Sequence, residues 1–139
     1  YYNKTEYYNG DNQLHCDGCK SKQDSSLERK IDITPKILAI ILDRGPDNKY
    51  FTDYFNFEEN LDLSPFVSNN RNNYTQYYLC GVISHLGESG PGGHFIAYCR
   101  MEHYLAWYKY DDSEVTNIND IQEIVKTGKP YLLFYHYIG

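Results

Sequence analysis

A histidine and two aspartates are spaced as a base and its orienting carboxylate would be. His94 follows Gly92-Gly93 and opens an apolar segment, and Asp111-Asp112 ends the aromatic segment that comes next. If the two segments are neighbouring antiparallel strands, the imidazole and a carboxylate lie side by side. The carboxylate then fixes the tautomer of the imidazole and stabilises its protonated form, as a general base requires. The alternative is a histidine at a strand end beside an acidic turn, and spacing alone leaves both interpretations open.

A base and its orienter need a nucleophile, and the chain does not supply an obvious one. Cys80 and Cys99 both lie inside apolar segments, where we expect small buried side chains. Neither cysteine stands at a helix N-terminus or at a sharp turn that would stabilise a thiolate. The sequence also lacks a Gly-x-Ser-x-Gly nucleophile motif. The catalytic set within these residues is therefore incomplete.

Cys16 and Cys19 form a Cys-x2-Cys motif with Gly18 between them. Zinc prefers four tetrahedral ligands, and such a turn supplies two of them. The sequence holds no second pair of this kind, and His15 is too close to serve with both thiols. The motif is therefore either half of a zinc site or a turn with two unligated thiols.

Length and charge exclude several classes of partner. The chain has 139 residues, the size of one domain, and its formal net charge is −6. An acidic chain without a lysine and arginine cluster is a poor candidate for nucleic acid. The longest apolar run, residues 37–42, is too short to cross a membrane. We therefore expect no nucleic-acid partner and no membrane partner.

The start of the chain and its cysteines suggest a compartment. Residue 1 is not Met and no secretion signal is visible, so we expect part of a longer or processed protein. The 4 cysteines do not have the spacing of a disulfide framework. A reducing compartment, the cytoplasm or the nucleus, is the expected location.

The elements that position these groups are predicted to be mostly strands. Tyrosine occurs 16 times, and aromatic residues favour half-buried sheets. Alternation and apolar runs between turn residues predict strands over residues 31–42, 50–57, 74–85, 94–100, 104–110, 115–116 and 131–137. The run 37–42 is expected to be buried on both faces. A helix capped by Asn117 or Asn119 is expected to end at Val125. Trp107 is expected to pack beneath the strand of His94. The fold class is α+β, mainly an antiparallel sheet with few helices.

Read together, the motifs resemble the C-terminal half of the catalytic domain of ubiquitin-specific proteases, papain-like cysteine peptidases that remove ubiquitin. Six pieces occur in the order of that family: Cys16-Asp17-Gly18-Cys19, residues 35–44, residues 78–87, residues 93–98, residues 107–112 and residues 131–135. From the first piece to the last they span residues 16–135, nearly the whole chain. The resemblance implies that residues 1–30 are part of the fingers with a zinc-knuckle remnant. It also implies that residues 31–139 are the palm sheet, so that residues 1–139 are a partial domain.

The resemblance implies a role for each matching residue. His94 would be the general base, Asp111 the carboxylate that orients it, and Asp112 an assistant. Four further residues would line the channel for the C-terminal tail of ubiquitin, flanked by loops 43–49 and 87–93: Gly92, Gly93, Phe95 and His85. Catalysis would need no cofactor, and Cys16 and Cys19 would hold a structural zinc if a second cysteine pair is supplied upstream.

The function that the resemblance implies is thiol-dependent hydrolysis of the (iso)peptide bond after the C-terminal glycine of ubiquitin. The chain would supply His94 and Asp111 of a Cys-His-Asp triad, and the upstream half of the same domain would supply the cysteine. The partners would be ubiquitin or ubiquitinated proteins and that upstream half. Two alternatives stay open: an inactive homologue or scaffold that binds ubiquitin, and a small metal-binding β protein built on Cys16 and Cys19.

Overall fold

Strands account for most of the regular structure. A computed structural model describes residues 4–44, 54–68, 74–87, 92–101, 106–126 and 129–138. The strands and the α-helix in these ranges are β1 Glu6–Tyr8, β2 Leu14–Cys16, β3 Ser21–Gln23, β4 Ser25–Leu27, β5 Ile37–Ile41, β6 Asn60–Asp62, β7 Gln76–Leu86, β8 His94–Met101, β9 Ala106–Asp111, β10 Glu114–Ile118, α1 Ile121–Val125 and β11 Pro130–Tyr137. Short 3-10 helices span Gly10–Asn12 and Ser64–Phe66.

One antiparallel sheet organises the chain after residue 36. Its strand order is β10-β9-β8-β7-β11-β5, and β6 pairs with the beginning of β7. The earlier strands form two separate two-stranded sheets, β1 with β4 and β2 with β3. The α+β class with a mainly antiparallel sheet is therefore confirmed. The strands expected over 74–85, 94–100, 115–116 and 131–137 are present as β7, β8, β10 and β11.

One face of the large sheet carries the hydrophobic core, and we call it the core face. Alternate residues of neighbouring strands point there, among them Val82, Tyr98 and Leu133. Trp107 is 5% exposed on this face, as predicted, and α1 buries Ile124 against it. The opposite face, which we call the outer face, is less covered.

No helix in the described ranges is long and apolar enough to cross a membrane.

The strand predicted over residues 31–42 is shorter and more exposed than expected. The ladder with β11 begins at Ile37, and before it Ile31 makes only an isolated bridge with Val67. Pro35 interrupts the earlier alternation because proline has no N–H for a ladder. The Pro35 carbonyl instead accepts a hydrogen bond from the Tyr77 hydroxyl, at 2.5 Å. Burial on both faces was also wrong, since Ile37 and Ile41 are 50% and 69% exposed. The reason is the position of β5 at the edge of the sheet, where its outward side chains lack a covering layer.

The strand predicted over residues 50–57 is wrong where it can be compared. Residues 50–53 lie outside the described ranges, and residues 54–57 have no strand pairing. Phe57 is buried in the core while Tyr54 is exposed. The Glu58 carbonyl accepts a hydrogen bond of 2.8 Å from the Tyr135 hydroxyl, which attaches this segment to the core face. Of the described aromatic residues in this segment, Phe57 packs into the core, whereas Tyr54 and Phe55 are exposed, so the alternation marks neither a strand nor a buried face.

The start of α1 also differs from the sequence expectation. The cap is Asp120, whose carboxylate accepts a hydrogen bond from the Gln122 N–H at 2.9 Å. Asn117 is part of β10, and Asn119 precedes the cap. Three residues of types that cap well, two Asn and one Asp, stand close together here, so residue type alone does not select the cap. The end at Val125 agrees with the prediction.

Candidate active site

His94 and Asp111 are brought together by the neighbouring strands β8 and β9. Ala97 pairs with Tyr110, so the next residue along β9, Asp111, lies across from Ile96. His94 is two residues from Ile96 on the same face, and this diagonal relation suits long side chains. His94 Nε2 lies 2.5 Å from Asp111 Oδ1. The adjacency that the spacing predicted is therefore observed.

The contact defines which nitrogen of His94 is the basic one. An ionised carboxylate only accepts hydrogen bonds, so Nε2 carries the proton that it donates to Asp111. Nδ1 is then the nitrogen with a lone pair for an incoming proton. The His94 side chain is 40% exposed, so a reactant can approach it. This pair can act as a general base whose tautomer is fixed.

The Asp111 carboxylate contacts a second cation. Lys109 Nζ lies 2.6 Å from Asp111 Oδ2, while Oδ1 faces His94. The hydrogen bond from Lys109, followed by that from His94, holds the pKa of Asp111 below its usual value. The hydrogen bond to Asp111 in turn raises the pKa of His94. Asp111 is consequently ionised at neutral pH and stabilises the imidazolium.

Asp112 acts on His94 at longer range. It is exposed in the turn between β9 and β10, with a left-handed φ of 51° that Asp tolerates better than most residues. Its charge adds to the rise in the pKa of His94. One ligating atom of each of His94, Asp111 and Asp112 lies within 4.8 Å of the others. The structure therefore brings all three residues assigned to catalysis together, with Asp111 in direct contact and Asp112 beside it.

The residues assigned to the tail channel lie where β7 meets β8. His85 is 5% exposed, and its ring meets the Phe95 ring edge-on with centroids 4.7 Å apart. The two residues are cross-strand partners, and Gly93 approaches the His85 ring closely. Phe95 follows His94 on β8, so it points to the outer face, where it is 52% exposed. Gly92 borders open space.

The loops assigned to either side of that channel are described only in part. Residues 45–49 and 88–91 lie outside the described ranges. Arg44, at the start of the first loop, is buried, and its Nε donates a hydrogen bond of 3.1 Å to the Pro130 carbonyl. The channel thus remains an expectation, although its described members cluster around the start of β8.

The two strand cysteines are not both buried as expected. Cys99 lies on the outer face, where its side chain is exposed. Neighbouring groups still desolvate its sulfur and raise the pKa of the thiol, which disfavours the nucleophilic thiolate. Cys80 is half-buried, and its thiol donates a hydrogen bond of 3.4 Å to the Phe134 carbonyl. Neither thiol has the features of a nucleophile that would work with His94.

The Cys16/Cys19 motif forms a hairpin turn between β2 and β3. The Cys19 backbone, the Cys19 thiol and the Gly18 backbone all hydrogen-bond to Cys16 and lower the pKa of its thiol. Thiolate is the form that binds zinc, so the turn fits two positions of a tetrahedral site. Within the described residues, the group of three or more ligating side chains is His94, Asp111 and Asp112, and not this turn. Within the described residues the turn therefore offers two thiols as possible ligands, and both interpretations of the motif stay open.

Lys109 is a site residue that the sequence interpretation missed. A signal was present, because residues 107, 109 and 111 of a strand share one face. Trp107 on that face was expected to be buried and Asp111 was expected beside His94, so Lys109 between them had to lie near the carboxylate.

Comparison with known proteins gives a family. The chain matches the family model described as ubiquitin carboxyl-terminal hydrolase over residues 7–135. It is 36% identical over 138 residues to ubiquitin carboxyl-terminal hydrolase 16 of Arabidopsis thaliana, and the alignment covers 96% of this chain and 13% of that protein. It is 33% identical over 135 residues to ubiquitin carboxyl-terminal hydrolase 17-like protein 1 of Homo sapiens, with 95% of this chain and 25% of that protein covered. The chain thus spans a quarter or less of these two relatives.

Solved structures agree with this match. A chain of the SAGA Ubp8/Sgf11/Sus1/Sgf73 DUB module bound to ubiquitin aldehyde superposes with a TM-score of 0.74 and 29% identity, over 99% of this chain and 32% of that one. A SAGA DUB module bound to monoubiquitin gives a TM-score of 0.76 and 30% identity, over 99% and 31%. The motif order, the antiparallel sheet and the sequence matches all point the same way: the chain belongs to the ubiquitin carboxyl-terminal hydrolase family.

Proposed function

We propose that the chain contributes the general base and its orienting carboxylate to a thiol-dependent deubiquitinase. The observation that carries the proposal is the contact of 2.5 Å between His94 Nε2 and Asp111 Oδ1. Family membership supports hydrolysis at the C-terminus of ubiquitin, and a similar structure that holds ubiquitin aldehyde supports ubiquitin as the substrate. Cys80 and Cys99 lack the features of a nucleophile, and Cys16 and Cys19 lie in a hairpin that is separate from the sheet of His94. The reactive cysteine is therefore assigned to the upstream half of the same domain.

In the acylation step, His94 Nδ1 takes the proton of the cysteine thiol while Nε2–H donates to Asp111. The thiolate attacks the carbonyl carbon of the last glycine of ubiquitin, so a C–S bond forms. The intermediate collapses by breaking the C–N bond, and the imidazolium gives its proton to the leaving amine. The products of this half-reaction are a thioester and a free amine.

In the deacylation step, the same imidazole works on water. Nδ1 takes a proton as the water oxygen attacks the thioester carbonyl, the C–S bond breaks, and the thiolate recovers a proton from the imidazolium. Asp111 stabilises the imidazolium that forms twice in the cycle, because its lowered pKa keeps it ionised. The chain's own residues thus move the proton at each step.

The turn of Cys16 and Cys19 is proposed to hold a structural zinc with two ligands from outside this chain. Its support is the lowered pKa of Cys16 and the hairpin geometry. Zinc content of the full-length protein tests this, and Cys16→Ser is expected to remove one zinc per molecule. Equal zinc in the variant and the parent would assign the turn to unligated thiols.

The test of the enzymatic proposal uses ubiquitin with a C-terminal thiol-reactive group, added to the full-length protein. We expect an adduct on a cysteine outside these 139 residues. His94→Ala should slow the adduct and lower turnover of a ubiquitin–fluorophore conjugate by about 10³-fold, within the range for loss of a general base. His15→Ala, in the exposed hairpin, is the matched histidine control.

Other outcomes of that test have a definite meaning. Bound ubiquitin with no adduct would identify an inactive ubiquitin-binding homologue. Near-normal turnover by His94→Ala would remove His94 from the mechanism. An adduct on Cys80 or Cys99 would place the nucleophile inside the chain.

A further inference from the structure

The Asp111 carboxylate is held at both oxygens, by one group that takes part in proton transfer and one that does not. His94 Nε2 is 2.5 Å from Oδ1, and Lys109 Nζ is 2.6 Å from Oδ2. Each contact joins a carboxylate oxygen to a nitrogen donor, and charge-assisted hydrogen bonds of this kind are shorter and stronger than neutral ones. A carboxylate fixed in this way cannot turn Oδ1 away from His94 without breaking the bond to Lys109.

The backbone places Lys109 for this contact. Lys109 and Asp111 are two residues apart on β9, so their side chains leave the same face of the sheet. The side chains of Lys109 and Asp111 are 31% and 28% exposed, so the ion pair is partly shielded from water. Partial shielding makes the pair more persistent than an ordinary surface contact.

We propose that Lys109 is a positioning residue for His94 and Asp111, which keeps the Asp111 carboxylate aimed at the imidazole and offsets the negative charge around it. The inference rests on the proposed function and adds a residue to it. Lys109 does not contact the reacting atoms, so its effect passes through Asp111.

The charges around His94 explain why an offsetting cation is useful. Asp111 and Asp112 both favour the imidazolium, whereas the charge of Lys109 opposes it and lowers the pKa of His94. On β8, Tyr98 is the cross-strand partner of Lys109, and on β10, Glu114 lies near it. The hydrogen bond to Asp111, followed by the negative charges of Asp111 and Glu114, raises the pKa of Lys109, so Lys109 stays protonated at neutral pH.

Loss of Lys109 is therefore expected to change the pKa of His94 in a definite direction. Two carboxylates without their cation would stabilise the imidazolium further, and the pKa of His94 would rise. Less of the enzyme would then hold the free base at neutral pH. A carboxylate held only by His94 would keep its hydrogen bond to the imidazole but would fix the direction of that bond less tightly. Both effects act on proton transfer, so we expect them to lower kcat more than they change KM.

The experiment compares Lys109→Met, Lys109→Gln and Lys109→Arg in the full-length protein. Lys126→Met is the control for net charge, because Lys126 is exposed at the end of α1. One readout is the pH dependence of kcat and KM on a ubiquitin–fluorophore conjugate. The other is the pH dependence of diethyl pyrocarbonate modification of His94, followed by peptide mass spectrometry, because the reagent attacks the unprotonated imidazole and needs no turnover.

We expect Lys109→Met and Lys109→Gln to lower kcat about tenfold with KM nearly unchanged, far less than the ~10⁴-fold loss expected when the tautomer is wrong. The midpoint of His94 modification and the acid limb of kcat/KM should both move to higher pH. Lys109→Arg should restore most of the rate and both midpoints, and Lys126→Met should match the parent protein.

Unchanged kcat and an unchanged His94 midpoint in both neutral variants would make Lys109 an ordinary surface cation and overturn the proposal. A lower kcat that Lys109→Arg does not restore, without a shift in either midpoint, would also overturn it. Should the parent protein fail to turn over ubiquitin while the His94 midpoint still shifts, the proposed function would fall and the coupling of Lys109 to His94 would stand.

Discussion

Gly93 lies against the buried ring of His85, so that a Cβ atom at position 93 would be 1.9 Å from His85 Nε2. The φ of Gly93 is +157°, a conformation that residues with side chains rarely adopt. Gly93 immediately precedes His94 at the start of β8. The His85 ring and the Gly93 backbone together fix the point from which the His94 side chain leaves the sheet.

This contact predicts that alanine substitutions at the neighbouring Gly92 and Gly93 differ greatly in their effect on stability. Gly93→Ala is expected to destabilise the protein by about 1–3 kcal/mol, through the clash with His85 and the strained φ. Gly92→Ala should leave the melting temperature nearly unchanged, because a Cβ there has open space. Thermal unfolding of both variants is the measurement, and equal melting temperatures would contradict the prediction.

A double-mutant cycle separates the clash from the strain. In a His85→Ala background the ring is gone, so Gly93→Ala should cost less than it does in the parent. The loss of unfolding free energy that persists in that background measures the backbone strain of placing alanine at the φ of Gly93. A cost that is independent of residue 85 would mean that the ring gives way without penalty.

Exchanging the two carboxylates for amides distinguishes the orienter from its neighbour. Asp111→Asn should lower kcat by up to ~10⁴-fold, because an amide permits the wrong tautomer of the imidazole. Asp112→Asn should cost much less, since Asp112 is exposed and acts through its charge. Steady-state kinetics on a ubiquitin–fluorophore conjugate measures both. Greater damage from Asp112→Asn would reverse the assignment.

The pH dependence of activity follows from the raised pKa of His94. The hydrogen bond to Asp111 holds that pKa above the ordinary value of 6.5, so kcat/KM should rise with pH through a midpoint above 6.5. Removing a negative charge near the imidazole makes the imidazolium less stable. Asp112→Asn should therefore move the acid limb to lower pH, opposite in direction to Lys109→Met. An upward shift in Asp112→Asn would show that its charge does not reach His94.

The cap of α1 gives a prediction about stability alone. Asp120→Ala removes the carboxylate that accepts from the Gln122 N–H, and is expected to cost about 0.5–2 kcal/mol. Asn119→Ala, one residue earlier, should lower the free energy of unfolding by only a small fraction of the loss expected for Asp120→Ala. Denaturant unfolding measures the stability of both variants. A larger loss of unfolding free energy for Asn119→Ala would identify Asn119, one of the two residues expected from sequence, as the cap.

The pairing of His94 with Asp111 was predictable because it depends on short-range geometry. Two strands that follow each other in sequence with a short connection usually pair, and the ends of the pair then face each other. The contact of Lys109 with the same carboxylate follows from alternation along β9, but it also needs the reach of a flexible side chain. Sequence spacing does not determine that reach.

The failures share a different cause. The aromatic alternation before Phe57 shows neither which side chains are buried, since Tyr54 and Phe55 are both exposed, nor whether the backbone between them pairs. The burial of the run 37–41 depends on which strand lies at the sheet edge, and that order is set by contacts with β11, far along the chain. Cys99 was misjudged for the same reason, because covering of the outer face is not a local property.

The position of β11 between β7 and β5 has a consequence for biosynthesis. β5 leaves the ribosome before β6 to β10, but β11, the strand that it pairs with, is made after all of them. Until then its isoleucine-rich edge and the facing edge of β7 have backbone groups open to other chains, as in aggregation-prone folding intermediates. A premature stop codon before residue 130 would leave both edges open permanently, so its product is expected to depend on chaperones and to be degraded rapidly.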